Sequence, residues 1–298
     1  MSTFERAVVV GAGTMGHGIA QVCAMAGIRV TLVDVQEAVV DQGLAKVRLN
    51  LDKGVEKGKV SAEARAQALS LLDGSTSLDA LKDADLLVEA IPERMELKRR
   101  LFAEADEKMP AGAVLGSNTS SLSITEIAGA TKRPGSVVGL HFFNPVHIMK
   151  LLEIVRGAST SDETLERAQA FAEALGKTAV VVNDAPGFAT SRLGITLGNE
   201  AMRMVEEGVA SPADIDAAMR LGYGHPMGPL ALSDLVGLDV RMSITTALFE
   251  EIGSDGFRPP RILRKLVRAG HLGKKTGSGF YLWEGDKPVR PNPVAWRG

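Results

Sequence analysis

Two residues near the middle of the chain, His141 and Glu153, are of the types that move protons. His141 closes the apolar run 137–140, and Glu153 stands in the centre of the run 151–155. An imidazole titrates near neutral pH, so it can take a proton from an alcohol as hydride leaves the same carbon. A carboxylate on its other nitrogen would set the tautomer and stabilise the imidazolium. A carboxylate inside a short apolar run is costly to bury alone, so Glu153 needs a partner. A purely structural buried His–Glu pair is the competing reading, and position decides between the two. Ser120 and Asn144 end neighbouring segments and could hydrogen-bond a carbonyl oxygen.

The element that would bring such a base to a redox cofactor is the opening stretch, 6–34. It reads as strand, glycine turn, helix, strand and terminal acid. Residues 7–10 are apolar and β-prone, and Gly11, Gly13 and Gly16 form Gly-x-Gly-x-x-Gly. Apolar side chains recur at helical spacing over 15–26, Gly27 stops the helix, and the second apolar run, 28–33, ends at Asp34. Gly11 permits the tight turn, Gly13 lets a pyrophosphate approach the backbone, and Gly16 lets the helix sit close to the strand. The helix N-terminus offers N–H groups and positive charge to phosphates, with Thr14 and Met15 in the same turn. Asp34 can accept hydrogen bonds from both ribose hydroxyls and would repel a 2′-phosphate. Val35 and Gln36 follow it rather than Arg or Lys, so NAD is expected over NADP. The flanking strand, helix and acid distinguish this turn from a glycine turn in some other α/β unit.

Bulk composition narrows the class. The chain has 298 residues, 45% of them hydrophobic, enough for two domains with real cores. The net charge is −2, and no block of like charge favours nucleic acid or an acidic membrane. Cys23 is the single cysteine, which excludes an intrachain disulfide and suits a reducing compartment, the cytoplasm. No run is long enough to span a membrane, and the first apolar run is strand-like rather than part of a leader. No His/Asp/Glu spacing suggests a metal site. His17, His147, His225 and His271 lie in turns or loops and rank below His141.

Strands and helices then alternate. A polar helix is expected over 36–57 and continued over 62–72, with Lys46, Arg48, Lys53, Lys57 and Lys59 read as a solvated face. Segment 84–90 is a buried strand whose carboxyl end carries Glu89 and Glu93 around Pro92. There open parallel sheets bind ligands. Helix 95–108, strand 113–116 and the polar turn 117–121 follow. Ser123 and Glu126 form a capping box. Helix 161–175 and strand 178–182 complete a mostly parallel sheet covered on both faces.

The composition changes at 184–188. Helices are expected over 189–207, 213–221, 229–252 and 260–269, then a strand run 280–283 and an extended tail from Asp286. The expected architecture is an α/β Rossmann-like domain, 1–185, followed by an all-α domain, 186–298. The first helix of the second domain carries Leu193, Leu197, Ala201, Met204 and Val205. That is more apolar surface than a short domain readily buries, so a homodimer is expected. Packing of the stripe inside its own domain is the alternative.

The motifs VVVGAGTMGHGIAQ, VEAIPE, SNTSSL, GLHFFNPV, KLLEIV, DAPGF, HPMGPLALSDLVGLD and GKKTGSGFY run in order through nearly the whole chain. In them the chain closely resembles the short-chain L-3-hydroxyacyl-CoA dehydrogenases, including the bacterial 3-hydroxybutyryl-CoA dehydrogenases. The resemblance implies an NAD-dependent oxidation of an acyl-CoA substrate to its 3-keto form, or the reverse. It implies His141 as the base, Glu153 as its partner, and Ser120 as donor to the substrate's 3-oxygen. It sets Asn144 near the nicotinamide, and Glu93, Lys98 and Lys275 in contact with NAD. It gives Lys57 a contact with CoA, overriding the solvated-face reading there. Family members usually carry Asn where this chain has Ser191, near the substrate, and often Ser at the CoA-contacting position held here by Asn50. A dehydrogenase of a free sugar acid is the nearest rival, and a non-catalytic NAD-binding protein the rival from another class.

Overall fold

The computed structural model describes residues 4–296. The chain divides into two compact units between Ala185 and Pro186.

The first unit alternates strand and helix. It contains β1 (Arg6–Val10), α1 (Gly16–Met25), β2 (Arg29–Val33), α2 (Glu37–Glu56), α3 (Ala62–Ser70), β3 (Leu72–Ser75) and β4 (Leu86–Glu89). It continues with α4 (Met95–Lys108), β5 (Val114–Ser117), α5 (Ile124–Ala128), β6 (Val137–Phe142), β7 (Leu151–Arg156), α6 (Asp162–Ala174) and β8 (Thr178–Asn183). The eight strands form one sheet in the order β3-β2-β1-β4-β5-β6-β7-β8. β1, β4, β5 and β6 are buried runs, as expected of strands covered on both faces. Val9, Leu32, Val88, Val138 and Ile154 lie in the core between the sheet and its helices.

All pairings are parallel but one. β6 and β7 are antiparallel. The link between them, 143–150, carries no helix, and a parallel return needs a crossover of about a dozen residues or more. The short link therefore reverses the chain, and β8 then runs parallel to β7. Serines start several helices: the hydroxyls of Ser61, Ser123 and Ser161 accept from the N–H groups of Ala64, Glu126 and Thr164.

The second unit is built from α7 (Thr190–Glu206), α8 (Pro212–Gly222), α9 (Pro229–Val236), α10 (Leu238–Ile252) and α11 (Arg261–Arg268), followed by β9 (Tyr281–Glu284) and β10 (Lys287–Pro291). Met202, Leu230, Leu238, Leu263, Leu266 and Phe280 form its core.

Three local expectations fail for identifiable reasons. The helix expected to run to residue 72 ends at Ser70, and Leu72–Ser75 pairs with β2 as an edge strand. The single helix expected over 229–252 is two, broken at Gly237, whose φ of +103° no helix can hold. The proline-bearing tail after the helices of the second unit, expected only to be extended, folds back as β10, antiparallel to β9, because β9 offers it a pairing edge. Of the apolar stripe on α7, Ala201 and Val205 enter the unit's own core, whereas Leu193 is 71% exposed. No helix among the described residues is long and apolar enough to cross a membrane.

Candidate active site

β1, β2, β4, β5 and β6 bring the glycine turn, Asp34, Glu89, the Ser120 turn and His141 to one edge of the sheet, at their carboxyl ends. The order reverses between β1 and β4, the crevice where such sheets take ligands.

The glycine turn has the shape a dinucleotide needs. Gly11 has φ +103°, and a Cβ on it would meet the Ala90 carbonyl oxygen at 2.4 Å. A Cβ on Gly16 would meet the Gly11 oxygen at 1.6 Å, so α1 starts in contact with the turn. Gly13 differs: it is exposed, and a Cβ there would meet nothing within 4 Å. Its bare backbone faces open space, where a pyrophosphate can approach. Thr14 is exposed beside it and Met15 half-buried. No side chain caps α1, and no acid lies in its first turn, so its N-terminal charge stays available to a phosphate. Asp34 caps β2, and its Oδ2 accepts from the Ala12 N–H at 2.9 Å. The turn thus fixes the acid that a ribose would meet.

Beyond the switch point lies an ionic cluster. Glu89, Lys98 and Ser117 are buried. The Lys98 ammonium lies 2.6 Å from Glu89 and 3.1 Å from Glu93. Burial pushes the Glu89 carboxyl above its ordinary range against the pull of Lys98. Burial also pushes Glu93 up, but Lys98 and the donors of the 119–120 turn outweigh it, and its carboxyl stands below the ordinary range. Glu93 Oε1 accepts from the Thr119 hydroxyl at 2.5 Å and the Ser120 N–H at 3.0 Å. Ser120 is half-buried at this turn.

The next two strands, β6 and β7, carry His141 and Glu153. In the antiparallel register His141 stands directly opposite Glu153, and Nδ1 of the ring lies 2.8 Å from Oε2 of the acid. Both are buried. The side chains of a facing cross-strand pair meet without any loop to position them. With Nδ1 donating to a carboxylate, Nε2 is the basic nitrogen of the neutral ring. The Phe143 ring packs against the imidazole at 4.4 Å between centroids. Asn118 Oδ1 accepts from the Phe142 N–H at 2.8 Å, tying the Ser120 turn to the strand of His141. Asn144 follows, exposed, in the 143–150 link. Composition and spacing had not marked Asn118, or Glu89 as more than a strand-end acid. A polar residue at the end of an otherwise apolar strand was the available signal.

The remaining residues named from the sequence lie on other elements. Asn50 and Lys57 lie on α2 and at its C-terminal cap; Asn50 donates to Gln21 Oε1 at 3.2 Å, and Lys57 is exposed. In the second unit, Ser191 is half-buried in the first turn of α7. Lys275 Nζ lies 2.6 Å from both carboxylate oxygens of Asp239. The Lys275 ammonium holds the Asp239 carboxyl below its ordinary range. No group of three potential metal ligands occurs among the described residues.

Comparison with known proteins gives a consistent picture. The family model described as 3-hydroxyacyl-CoA dehydrogenase, NAD binding domain, matches residues 6–185, and the one for the C-terminal domain matches residues 187–283. A probable 3-hydroxybutyryl-CoA dehydrogenase of Bacillus subtilis is 46% identical over 94% of this chain and 98% of its own. The crystal structure of (S)-3-hydroxybutyryl-CoA dehydrogenase from Ralstonia eutropha superposes with a TM-score of 0.91 at 42% identity, covering 95% of this chain and 100% of that one. A 3-hydroxyadipyl-CoA dehydrogenase of Escherichia coli is 41% identical over 96% of this chain and 61% of its own length.

Proposed function

The chain belongs to the 3-hydroxyacyl-CoA dehydrogenase family of NAD oxidoreductases, and from that premise we propose that it interconverts L-3-hydroxybutyryl-CoA and acetoacetyl-CoA with His141 as the general base. A bound NAD would supply the acceptor for the hydride of C3. His141 Nε2 takes the hydroxyl proton as that hydride leaves. Glu153 holds Nδ1–H, keeps the ring in the reactive tautomer and balances the imidazolium. The Ser120 hydroxyl donates to the 3-oxygen, and Asn144 orients the nicotinamide side. Gly13 and the N-terminus of α1 receive the pyrophosphate, and Asp34 receives the ribose and rejects a 2′-phosphate. Lys57 and Asn50 meet the CoA moiety, Glu93, Lys98 and Lys275 the cofactor, and Ser191 the substrate. The observation that carries this reading is the 2.8 Å contact between a buried His141 and a fully buried Glu153, on the sheet that bears the glycine turn.

The test is loss of NADH absorbance with acetoacetyl-CoA, repeated with a longer 3-ketoacyl-CoA, a free sugar acid and NADPH. Fast turnover with NADH and the short thioester is expected. Turnover of the free acid alone would replace this reading with the sugar-acid one, and no turnover at all would favour a non-catalytic role.

A second copy of the chain is the proposed partner. Leu232, Leu235, Val236 and Val240 on α9 and α10 are each about 40% exposed or more, and Leu193 on α7 is 71% exposed. A monomeric mass at micromolar concentration would remove the dimer.

A further inference from the structure

Glu89 ends β4 at a position where Leu86, Leu87 and Val88 before it are all buried and apolar. Its own exposure is 0%. An apolar side chain would sit there without the cost of desolvating a carboxylate. Two partners of that carboxylate, Ser117 and Lys98, lead toward the turn of Ser120. Oε2 accepts from the Ser117 hydroxyl at 2.6 Å, in the residue that opens the turn. Oε1 accepts from the Ile91 N–H at 2.8 Å and from Lys98 Nζ at 2.6 Å. The Lys98 ammonium also reaches Glu93 Oε2 at 3.1 Å. The opposite oxygen of Glu93 gathers the Thr119 hydroxyl, the Ser120 N–H and, at 3.3–3.5 Å, the Ser120 and Ser121 hydroxyls. The chain of charge-assisted bonds from β4 to Ser120 is unbroken.

We propose that Glu89 is a positioning residue for Ser120, acting through Lys98 and Glu93. Lys98 alone, 1% exposed, would be a cation shared between Glu93 and the backbone of Ile91. Held 2.6 Å from Glu89, the ammonium is anchored to the sheet, and Glu93 is held from one side while it collects the donors of the turn on the other. Ser120 then presents its hydroxyl from a fixed backbone and does not have to be ordered when substrate arrives. This role rests on the proposed reading of Ser120 as donor to the substrate oxygen.

The test is a double-mutant cycle of Glu89→Gln and Ser120→Ala in the full chain, read in kcat and KM for acetoacetyl-CoA with NADH, beside amide hydrogen exchange. Gln keeps the shape of Glu89 and an acceptor for Lys98 and Ile91, and removes the charge. Glu89→Gln is expected to lower kcat/KM about tenfold, mostly in kcat, and the double variant to be no worse than Ser120→Ala. Amide exchange is expected to quicken at 119–122 and not across the rest of the sheet. Additive effects, unchanged exchange at 119–122, or quickening spread through β4 and α4 would each overturn the proposal. If the native chain turned over no acyl-CoA thioester, the reaction would be misassigned, and the exchange comparison alone would still decide whether Glu89 positions the turn.

Discussion

Both units bury carboxylates, but they surround them differently. In the first unit Glu153 meets an imidazole and Glu89 an ammonium and a hydroxyl. In the second unit, among the described residues, no cation hydrogen-bonds Asp216 or Asp234. Asp216 accepts from the Leu230 and Ala231 N–H groups, in the first turn of α9, and from the Tyr281 hydroxyl. Asp234 accepts from the Phe280 and Tyr281 N–H groups and from Trp283 Nε1. Backbone, phenol and indole donors are held by the fold, so an acid bound to them clamps one segment to another. An imidazole or ammonium partner can change protonation or pass on an orientation. Under the proposed function, the buried acids of the first unit serve chemistry and those of the second hold shape.

Substitutions can break that contrast. The largest effect is expected at His141: His141→Gln, which removes the base and keeps an N–H donor for the buried Glu153, should lower kcat by about 10²–10⁴-fold while thermal melting stays near that of the native chain. Glu153→Gln should lower kcat by on the order of 10²-fold or more by releasing the tautomer, and little further when combined with His141→Gln. Asp234→Ala should do the reverse. It leaves three buried donors unpaired and should cost ~2–4 kcal/mol in urea unfolding, with kcat per folded molecule largely kept. A collapse of kcat in a folded Asp234→Ala chain would erase the distinction.

The pH dependence sharpens the contrast. Burial raises the Asp234 carboxyl to about 6, against the pull of its Trp283 and backbone donors. The folded chain then holds that proton more tightly than the unfolded one. The stabilisation is complete below the ordinary carboxylate pKa and is lost as pH rises through about 6. The stability difference between the native chain and Asp234→Ala should therefore be larger at pH 4 than at pH 7, by ~2–3 kcal/mol. The smallest effect is expected from an exposed charge. Lys57→Ala should raise KM for the thioester by no more than about fivefold, because solvent and salt screen it, and should leave kcat unchanged.

Local spacing made the first unit legible. The turn Gly11–Gly13–Gly16, the helix after it and Asp34 fall within one βαβ segment, and contacts so close in sequence follow from backbone geometry alone. His141 and Glu153 could be singled out by type, because each is a polar residue in an apolar strand run. Their pairing was a supposition until the reversed direction of β7 set them face to face. The break at Gly237 was hidden by Leu-rich sequence on both sides. Its φ is positive because the turn must bring Leu238 N–H to the Leu272 carbonyl, 34 positions on. β3 and β10 were missed because each is a short, exposed edge strand, stabilised by its neighbour more than by its own residues.

The sequence by itself determined which residues could carry cofactor and proton chemistry, and that an α/β unit precedes a helical one. These are properties of side-chain type and of periodicity over a few turns. Only the tertiary structure decided that Lys98 lies buried between Glu89 and Glu93, that Asn118 ties the Ser120 turn to β6, and that Asp234 clamps the β9 hairpin. Those partners are brought together by strand order and packing, which depend on the whole folded chain rather than on any one stretch.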